Sequence, residues 1–259
     1  MRTAKNALKR QDKIRDLLIF NGNVILVELC TLFNCSEATI RNDLAALEVQ
    51  GICKRIYGGA MSTNHTSRNT NITNRLNHYQ AEKNAIAEYV VTKIIKPNMI
   101  ITLDSGTTNM LVAQKILDYK IPCTIITNSF LVASIISKSS NVKLHLAGGF
   151  YDSDHGSFHD EVSDLILKTM RSEICFISAN GIDHFGNVTN SGIDENTIKQ
   201  QMIKHALQTI VLADHSKIDN TELKVICQAT DITLVVTDQK TTDKQIEMLQ
   251  QAGFKVARA

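Results

Sequence analysis

The stretch that decides the fold of the N-terminal part is residues 27–60, VELCTLFNCSEATIRNDLAALEVQGICKRIYGGA. Apolar side chains at helical spacing predict a short helix over residues 27–33. The pair Asn34-Cys35 predicts a tight turn, and Ser36 is a favourable N-cap for a helix that runs to about Gln50. Two helices joined by a tight turn are therefore expected here.

The residues on either side of this helix pair extend the pattern. Residues 10–20 have apolar side chains at helical spacing, and residues 24–26 form a short strand-prone step. Downstream, residues 52–56 alternate as a strand does, and Gly58-Gly59 supplies a turn. Helix, helix, turn, helix and basic hairpin is the order of a winged helix-turn-helix domain, which we assign to residues 1–60.

The second helix of the pair has two distinct faces. On a wheel of 3.6 residues per turn, Ile40, Leu44 and Leu47 share one face and are expected in the core. Asn42 points most directly away from them, and Arg41 lies beside it. Asn can bond an adenine edge and Arg a guanine edge or a phosphate, so this face predicts DNA reading; a solvated helix surface is the alternative. The candidate DNA contacts are Ser36, Ala38, Thr39, Arg41, Asn42, Lys54 and Arg55.

The positive charge of the chain is concentrated in this region. Residues 1–60 contain nine lysines and arginines against six acidic residues, a net charge of +3, whereas residues 61–259 contain 19 against 20. A local positive excess suits a contact with the phosphates of nucleic acid. The expected partner of this domain is double-stranded DNA.

The sequence changes character beyond this domain. Residues 61–77 are rich in Ser, Thr and Asn and poor in apolar residues, which predicts a linker. Over residues 78–259, strand patterns alternate with amphipathic helices, and the continuous apolar strands suit a sheet covered on both faces. The fold class is therefore α/β, a winged helix-turn-helix followed by a mainly parallel doubly wound domain. The predicted strands cover residues 100–104, 124–127, 142–146, 174–179, 209–213 and 232–237, and the predicted helices cover residues 81–95, 108–118, 129–138, 159–171, 194–207 and 241–252.

Polar or glycine-rich loops follow three of these strands. In Leu103-Asp104-Ser105-Gly106-Thr107-Thr108 a strand ends and a helix begins, and the backbone N–H groups and hydroxyls of such a loop suit a phosphate. Thr127-Asn128-Ser129 and Ala147-Gly148-Gly149 repeat the arrangement. Because open α/β sheets bind ligands beyond the carboxyl ends of their strands, these loops predict a phosphate-binding pocket; ordinary turns are the alternative.

Several classes of protein do not fit the sequence. Residues 1–13 lack the apolar segment of a secretory signal, and no apolar run approaches the roughly 18 residues that span a bilayer. The six cysteines form no C-x-x-C pair and several lie in apolar strand patterns, which favours buried thiols over disulfides or a zinc site. We expect a cytoplasmic protein without a membrane partner.

A set of motifs runs through the N-terminal domain. They are Val27-Glu28-Leu29, Ser36-x-x-Thr39-Ile40-Arg41-x-Asp43-Leu44, Leu47-Glu48, Gly51 and Arg55-Ile56-Tyr57-Gly58-Gly59-Ala60. Together they resemble the signature of the DeoR family of bacterial transcriptional regulators, in which this segment binds operator DNA. The usual family sequence has two successive arginines in the recognition helix. Here the second is Asn42, so we expect a different preferred operator.

Further motifs extend the resemblance over about residues 10–240. They are Asn180-Gly181-Ile182-Asp183, Glu195 to Met202 with Lys199, Asp214-x-Ser216-Lys217 and Thr237-Asp238. They resemble the sensor domain of the same family, which is similar in fold to ribose-5-phosphate isomerase and typically binds phosphorylated sugars or related metabolites. Many relatives have an arginine shortly after the Gly-Gly pair, whereas Phe150-Tyr151-Asp152-Ser153 follows it here.

The resemblance implies a role for ten residues of this domain. The residues that would frame the sugar phosphate are Asp104, Ser105, Gly106, Thr107 and Thr108. Those that would line the adjoining wall are Asn128, Gly148 and Gly149. Positive charge would come from Lys199 and Lys217. At the two lysines, a solvated side chain is the alternative.

The likeness to an isomerase raises the alternative of an enzyme with an accessory DNA-binding head. The isomerases resembled have an acid-rich Gly-Ala-Asp-Glu-type strand end and a Lys-Gly-Gly-Gly-type loop, and isomerisation needs a general base and an electrophile. Residues 178–183 and 186–189 keep Asp183 but contain no lysine and no glycine-rich loop. We therefore expect no catalytic residues and a sensor rather than an enzyme; a purely architectural protein is a third possibility.

The histidines show no recognised metal motif. His145, His155, His159, His184, His205 and His215 lack H-E-x-x-H or similar spacing, so we expect no metal and no cofactor. His155 and His159 lie four residues apart near a predicted helix start, and a metal-like pair stays open at that place.

A helix-turn-helix domain also bears on assembly. Such domains usually read two half-sites at once, so we expect a homo-oligomer, a dimer or a tetramer. The resemblance implies repression of an operon for carbohydrate uptake or catabolism. In this hypothesis a phosphorylated sugar changes how the reading heads are held and releases the operator.

Overall fold

The structure is a computed structural model, and it describes residues 2–21, 23–56, 58–62, 72–191 and 194–259. The chain divides into two compact units, residues 1–69 and 70–259. The predicted linker is regular structure at both of its ends, because a strand extends to Ser62 and a helix begins at Ile72. Residues 63–71 lie outside the described residues.

The first unit consists of three helices and a small antiparallel sheet. Its elements are α1 (Arg2–Asn21), β1 (Asn23–Ile25), α2 (Leu26–Phe33), α3 (Glu37–Val49), β2 (Cys53–Ile56) and β3 (Gly59–Ser62). Strand β3 is central and pairs with both β1 and β2. Gly59 permits this pairing, since a Cβ there would lie 1.9 Å from the carbonyl oxygen of Val24. The predicted winged helix-turn-helix is confirmed, with β2 and β3 as its wing.

Local chemistry fixes the turn between α2 and α3. Asn34 takes a left-handed backbone conformation (φ 49°), which asparagine tolerates better than most residues. Ser36 then caps α3, accepting a hydrogen bond from the backbone N–H of Thr39 at 3.3 Å. The apolar faces of the elements meet in one core, formed by Ile14, Leu18, Val24, Leu26, Leu29, Ile40, Leu44, Leu47, Cys53 and Ala60.

One charged side chain of α3 points into this unit. Asp43 is only 3% exposed, and its carboxylate accepts from Arg10 Nε at 2.5 Å and from Gln11 Nε2 at 2.9 Å. The hydrogen bond to Asp43 raises the pKa of Arg10 above its ordinary value. This contact ties α1 to the inner face of α3 and leaves the opposite face of α3 exposed.

The second unit is built on a seven-stranded sheet. Its order is β15-β14-β12-β9-β4-β5-β6, and every neighbouring pair is parallel. The strands of the second unit are β4 (Ile100–Leu103), β5 (Cys123–Thr127), β6 (Val142–Leu146), β7 (Tyr151–Asp152), β8 (Ser157–Phe158), β9 (Ser172–Ser178), β10 (Gly181–Ile182), β11 (Asn187–Asn190), β12 (Ala206–Leu212), β13 (Lys224–Gln228), β14 (Leu234–Thr237) and β15 (Val256–Arg258). Its helices are α4 (Ile72–Asn77), α5 (Gln80–Tyr89), α6 (Thr107–Asp118), α7 (Phe130–Ile136), α8 (Glu161–Lys168), α9 (Asp194–Lys204) and α10 (Asp243–Gln251).

Both faces of this sheet are buried. Alternate residues of a strand point to opposite faces, and in β9 Ile174 and Phe176 join one apolar cluster whereas Cys175 and Ile177 join another. The first cluster includes residues of α5, α6 and α7, and the second includes residues of α8, α9 and α10. The doubly wound arrangement predicted from the continuous apolar strands is confirmed.

The strand order reverses direction between β4 and β9. From β4 the chain adds β5 and β6 on one side, and from β9 it adds β12, β14 and β15 on the other. Open α/β sheets form their ligand crevice at such a reversal, beyond the carboxyl ends of the strands. In this unit that position is occupied by the segments after Leu103 and Ser178.

Several elements differ from the sequence predictions. Helix α5 ends at Tyr89, and Val90–Ile94 continues as a π-helical turn. The predicted helix over residues 194–207 ends at Lys204, because strand β12 already begins at Ala206. The antiparallel sheet β10-β11-β13, the hairpin β7-β8 and the edge strand β15 were not predicted.

All six cysteines are free. Four are buried as predicted, whereas Cys30 and Cys35 are half-buried. Burial raises the pKa of the Cys227 thiol to about 12. Over the part of the chain that the structure describes, no helix combines the length and apolar character needed to cross a membrane.

Replacing Asp43 by Ala should lower the free energy of unfolding by about 2 kcal/mol, because it leaves Arg10 and Gln11 without their buried acceptor. Asp12→Ala is the matched control, since Asp12 is the exposed partner of Arg15, and it should change stability by less than about 0.5 kcal/mol. Urea unfolding of the full chain, followed by circular dichroism, measures both. Equal effects would contradict the role given to Asp43.

Candidate functional site

The outer face of α3 is a surface of exposed polar and small residues. Ala38, Arg41 and Asn42 are exposed, Thr39 is half-buried, and Ile40 is buried in the core. The wheel assignment of this helix therefore agrees with the structure. Arg41 makes an i,i+4 ion pair with Glu37 at 3.1 Å, in which both side chains are more than half exposed. Such a pair is weak, so the guanidinium can exchange it for another anion.

The other candidate DNA contacts have intramolecular partners. The hydroxyl of Ser36 lies 3.0 Å from that of Thr39, in addition to capping α3. Arg55 donates to Glu48 from both its backbone N–H at 2.7 Å and its Nε at 2.6 Å. The backbone hydrogen bond from Arg55 is the main reason why the pKa of Glu48 is lowered. This pair joins the wing to α3, and Lys54 is exposed beside it.

A second group of polar residues lies where the sheet reverses direction. We call it the strand-end cluster. Its members follow the carboxyl ends of the parallel strands or lie on the helices that contact them: Asp104, Ser105, Gly106, Thr107, Thr108, Asn109, Asn128, Ser178, Asp214, Lys217, Glu195, Lys199, Arg75 and Lys83.

Asp104 is the hub of this cluster. It is 1% exposed, and one carboxylate oxygen accepts from the backbone N–H of Gly106 at 2.7 Å and from the Asn109 amide. The other accepts from the backbone N–H of Ser178 at 2.7 Å and forms an ion pair with Lys199. Both oxygens are therefore engaged, and Asp104 organises the loop around it.

Lys199 is held from the opposite side. It is 4% exposed, and besides the ion pair with Asp104 its ammonium donates to the carbonyl oxygen of Ser178 at 3.1 Å. Its positive charge is thus largely neutralised within the protein by Asp104. The alternative of a solvated lysine does not apply, because the side chain is buried.

The N-terminus of α6 lies beside this hub and has no side-chain cap. Gly106 is its N-cap residue, no side chain caps it, and its first turn contains no acidic residue. The first backbone N–H groups of a helix have no intrahelical acceptor, and the helix dipole favours an anion near them. Gly106 also permits the tight loop, since a Cβ there would lie 2.1 Å from Ser178 Oγ. Thr107 and Thr108 are buried in this turn.

The residues predicted as the adjoining wall lie at the ends of β5 and β6. Asn128 is buried and donates to the carbonyl oxygen of Phe158 at 2.9 Å, but its Oδ1 has no hydrogen-bond partner among the described residues. Gly149 (φ +143°) packs against the carboxylate of Asp160, which would lie 2.2 Å from a Cβ. The carbonyl oxygen of Gly148 accepts from Ser163 Oγ at 2.7 Å.

Glu195 brings a buried carboxylate to the same place. Its side chain accepts from Asn190 Nδ2 at 2.9 Å and from Ser105 Oγ at 3.4 Å. Burial alone raises the pKa of Glu195, but the charges of Lys199, His155 and Arg75 outweigh it and lower the pKa below the ordinary value. Glu195 is therefore an anion at neutral pH.

Three further cations lie close together at this end of the unit, and sequence reasoning found only one of them. Lys83 is 6% exposed, and its ammonium donates to the carbonyl oxygen of Arg75 at 2.6 Å. The Nε and Nη2 atoms of Arg75 are buried and have no hydrogen-bond partner among the residues that the structure describes. Lys217, the predicted cation, is half-buried, and its charge lowers the pKa of both Lys83 and His78.

Burial has a large effect on Lys83. It lowers the pKa of the ammonium to about 8, the charges of Lys217 and Arg75 act in the same direction, and the nearby Asp214 carboxylate only partly opposes them. A group of buried cations whose positive charge nearby carboxylates neutralise only in part is a candidate site for an anion. The signal was available in the sequence, because Lys83 lies on the same helical stripe as the buried Ile86 and Val90.

The family of the chain follows from comparison with known proteins. The family model of the DeoR C-terminal sensor domain matches residues 78–239, and that of the DeoR-like helix-turn-helix domain matches residues 10–66. The chain belongs to the DeoR family and carries its helix-turn-helix DNA-binding domain.

Individual relatives agree with this assignment. The HTH-type transcriptional regulator GolR of Listeria innocua is 29% identical over 96% of this chain and 97% of its own length. The lactose phosphotransferase system repressor of Staphylococcus epidermidis is 31% identical over 93% of this chain and 95% of its own length. The chain is a regulator rather than an enzyme, as expected from the missing catalytic set.

Among solved structures, a D-ribose-5-phosphate isomerase in complex with phospho-erythronic acid is similar to this chain. The match covers 53% of this chain and 54% of the isomerase chain, with 17% sequence identity and a TM-score of 0.38. A likeness at this level adds nothing to the fold assignment, which stands on the strand order and the family models.

The lowered pKa of Lys83 predicts a specific dependence of stability on pH. Between about pH 8 and the unfolded value of 10.5 the unfolded chain binds more protons at this residue than the folded chain, so the free energy of unfolding rises with pH. In Lys83→Met the rise from pH 8 to pH 9.5 should be smaller by about 2 kcal/mol. The exposed Lys93→Met is the control. A Lys83→Met profile identical to that of the control would show that Lys83 is not buried as a cation.

Proposed function

We propose that this chain represses an operon for carbohydrate uptake or catabolism and is released from its operator by a phosphorylated sugar. Operator binding is assigned to the outer face of α3 and to the wing. Binding of the effector is assigned to the strand-end cluster. Because it acts on DNA, we place its activity in the bacterial cytoplasm.

The proposal for operator reading rests on the two faces of α3. The inner face is fixed by the buried apolar residues and by the pair of Asp43 with Arg10, so the outer face is presented rigidly. Small side chains at Ala38 and Ala45 allow a close approach to the floor of a major groove. Arg41 and Asn42 can then reach base edges, while Lys54 and Arg55 of the wing contact phosphates.

The proposal for the effector is carried by the guanidinium of Arg75, two of whose buried nitrogens have no hydrogen-bond partner among the described residues. It lies with the buried ammonium of Lys83 at the same end of the unit as the N-terminus of α6, which has no side-chain cap. A dianionic phosphate would accept from the guanidinium and from helix N–H groups, which are the two most effective phosphate donors in proteins. The amide of Asn128 and the carboxylate of Glu195 can bond sugar hydroxyls. A phosphorylated sugar therefore fits better than a neutral sugar.

Repression and assembly are the finer parts of the proposal. This chain aligns over almost its whole length with the lactose phosphotransferase system repressor, which is named as a repressor. That likeness supports repression rather than activation by this chain. A homo-oligomer, a dimer or a tetramer, would place two reading heads on two half-sites. Effector binding then needs only to favour an arrangement in which the distance between two helix-turn-helix domains differs from the distance between the two half-sites.

Arg41→Ala should weaken binding to the operator at least about tenfold and leave the fold intact, because its side chain is exposed and its ion pair with Glu37 is weak. Arg41→Lys keeps the charge but loses the bidentate geometry, so it should recover binding to non-specific DNA and not to the operator. Fluorescence anisotropy with both DNAs measures the two effects. Normal operator binding by Arg41→Ala would overturn the assignment of α3.

A panel of sugar phosphates, each paired with its parent sugar, tests the effector. One phosphorylated sugar should raise the melting temperature of the full chain and weaken its operator binding, whereas the parent sugar should do neither. Arg75→Met and Lys83→Met should each weaken that effect at least about tenfold. Arg171→Met is the matched control, because Arg171 is exposed and precedes the amino end of β9, whereas the strand-end cluster lies at the carboxyl ends of the strands.

Proton uptake gives a second measure of the same event. An anion beside Lys83 raises the pKa of its ammonium, so binding at pH 8.5 should take up a fraction of a proton, which titration calorimetry in two buffers detects. Lys83→Met should abolish that uptake. If no phosphorylated sugar in the panel changes either the melting temperature or operator binding, the sensor assignment is wrong.

A further inference from the structure

Three potential metal ligands lie together next to the strand-end cluster. They are Asp152, His155 and His159, and one ligand atom from each lies within 4.8 Å of the others. The Oδ2 atom of Asp152 is 2.7 Å from His155 Nδ1 and 3.2 Å from His159 Nε2. The two imidazole rings are nearly perpendicular, at 80°, with centroids 5.7 Å apart.

From this cluster we propose that the chain binds one divalent transition-metal ion, of the Zn²⁺ or Co²⁺ class, through His155 Nδ1, His159 Nε2 and Asp152 Oδ2. Two imidazoles and one carboxylate form a ligand set for such ions. The proposal does not rest on the proposed function, although Glu195, which lies near His155, also belongs to the strand-end cluster.

The distances suit coordination. Two ligand atoms that each lie about 2.1 Å from a metal at a tetrahedral angle are about 3.4 Å apart. The distance from Asp152 Oδ2 to His159 Nε2 is already close to this value, and that from Asp152 Oδ2 to His155 Nδ1 requires an opening of about 0.7 Å. The metal would take the place of the proton in the hydrogen bond between Asp152 and His155.

The backbone arranges the ligands in advance. Asp152 ends β7 and His155 lies in the turn to β8, which is closed by the hydrogen bond from the N–H of Gly156 to the carbonyl oxygen of Asp152 at 2.8 Å. The second carboxylate oxygen, Oδ1, accepts from the N–H of Asp154 at 2.7 Å, which leaves Oδ2 for the metal. His159 follows β8 directly, and its N–H donates to the carbonyl oxygen of Phe150 at 3.2 Å.

Burial and charge also favour a cation here. The side chains of His155 and His159 are 15% and 7% exposed, and His155 Nε2 and His159 Nδ1 have no hydrogen-bond partner among the described residues. Glu195 Oε1 lies 4.0 Å from His155 Nε2. At this distance the two atoms make no hydrogen bond; a closer approach of about 1 Å would let Glu195 orient the ring, as a carboxylate behind a ligating histidine does. Asp152 and Glu195 together would balance the charge of a dication.

These three residues supply three of the four ligands of a tetrahedral metal ion. The fourth coordination position is therefore open to water or to an oxygen of a bound molecule.

Titration of tag-free, chelator-treated full-length protein with Zn²⁺ and with Co²⁺ tests the proposal. We expect one equivalent per chain, bound in competition with a chromophoric chelator, and a Co²⁺ spectrum without thiolate charge transfer. Asp152→Asn and His159→Gln should each weaken binding at least about a hundredfold. His184→Gln is the matched control, because His184 also faces an aspartate, Asp219 at 3.4 Å, but on the surface; it should bind as the wild type does.

X-ray absorption of the wild-type zinc complex decides the matter even if a variant fails to fold. Two imidazoles with only oxygen as the remaining ligands would support the site. The proposal would be overturned by a sulfur ligand or by fewer than two imidazoles. It would also be overturned if the two ligand variants bound the metal as tightly as the His184→Gln control. In those cases the three residues form a hydrogen bond between Asp152 and His155 with His159 beside it, and no metal site.

Discussion

A buried ion pair between Asp104 and Lys199 is the constraint on which the rest of the second unit depends. Both side chains are almost fully buried, and a buried charge is tolerated only when it is paired and hydrogen-bonded. The pair joins the end of β4 to α9, and Ser178 adds the end of β9 through its backbone and its hydroxyl. The reversal point of the sheet is thereby held in one arrangement.

This constraint determines what is left for a ligand. Because Asp104 and Lys199 neutralise each other, neither adds much to the net charge of the cluster. Arg75, Lys83 and Lys217 then outnumber the remaining anions, Glu195 and Asp214, and Arg75 keeps two buried nitrogens without a partner in the described part of the chain. The family resemblance pointed to Asp104 and Lys199 as ligand contacts. In the structure they pair with each other and organise the loop after β4, and their contact with a ligand stays a prediction.

The sequence predicted those features that depend on periodicity. The faces of α3 follow from the spacing of Ile40, Leu44 and Leu47, and the central strands follow from continuous apolar runs, because burial on both sides of the sheet excludes polar residues. Arg75 was missed because it lies in a polar segment that lacks periodicity and was therefore interpreted as linker. The approach of Asp152 to both histidines depends on two-residue strands, which are too short to produce an alternating pattern.

The central claim is that a phosphate group binds between the Arg75 guanidinium and the N-terminus of α6. A crystal structure of the full chain with the phosphorylated sugar that raises its melting temperature tests this most directly. The account predicts phosphate oxygens within hydrogen-bond distance of Arg75 and of the first backbone N–H groups of α6, with the ion pair of Asp104 and Lys199 intact. A phosphate bound elsewhere, or one that displaces Lys199 from Asp104 to make its main contact, would contradict it.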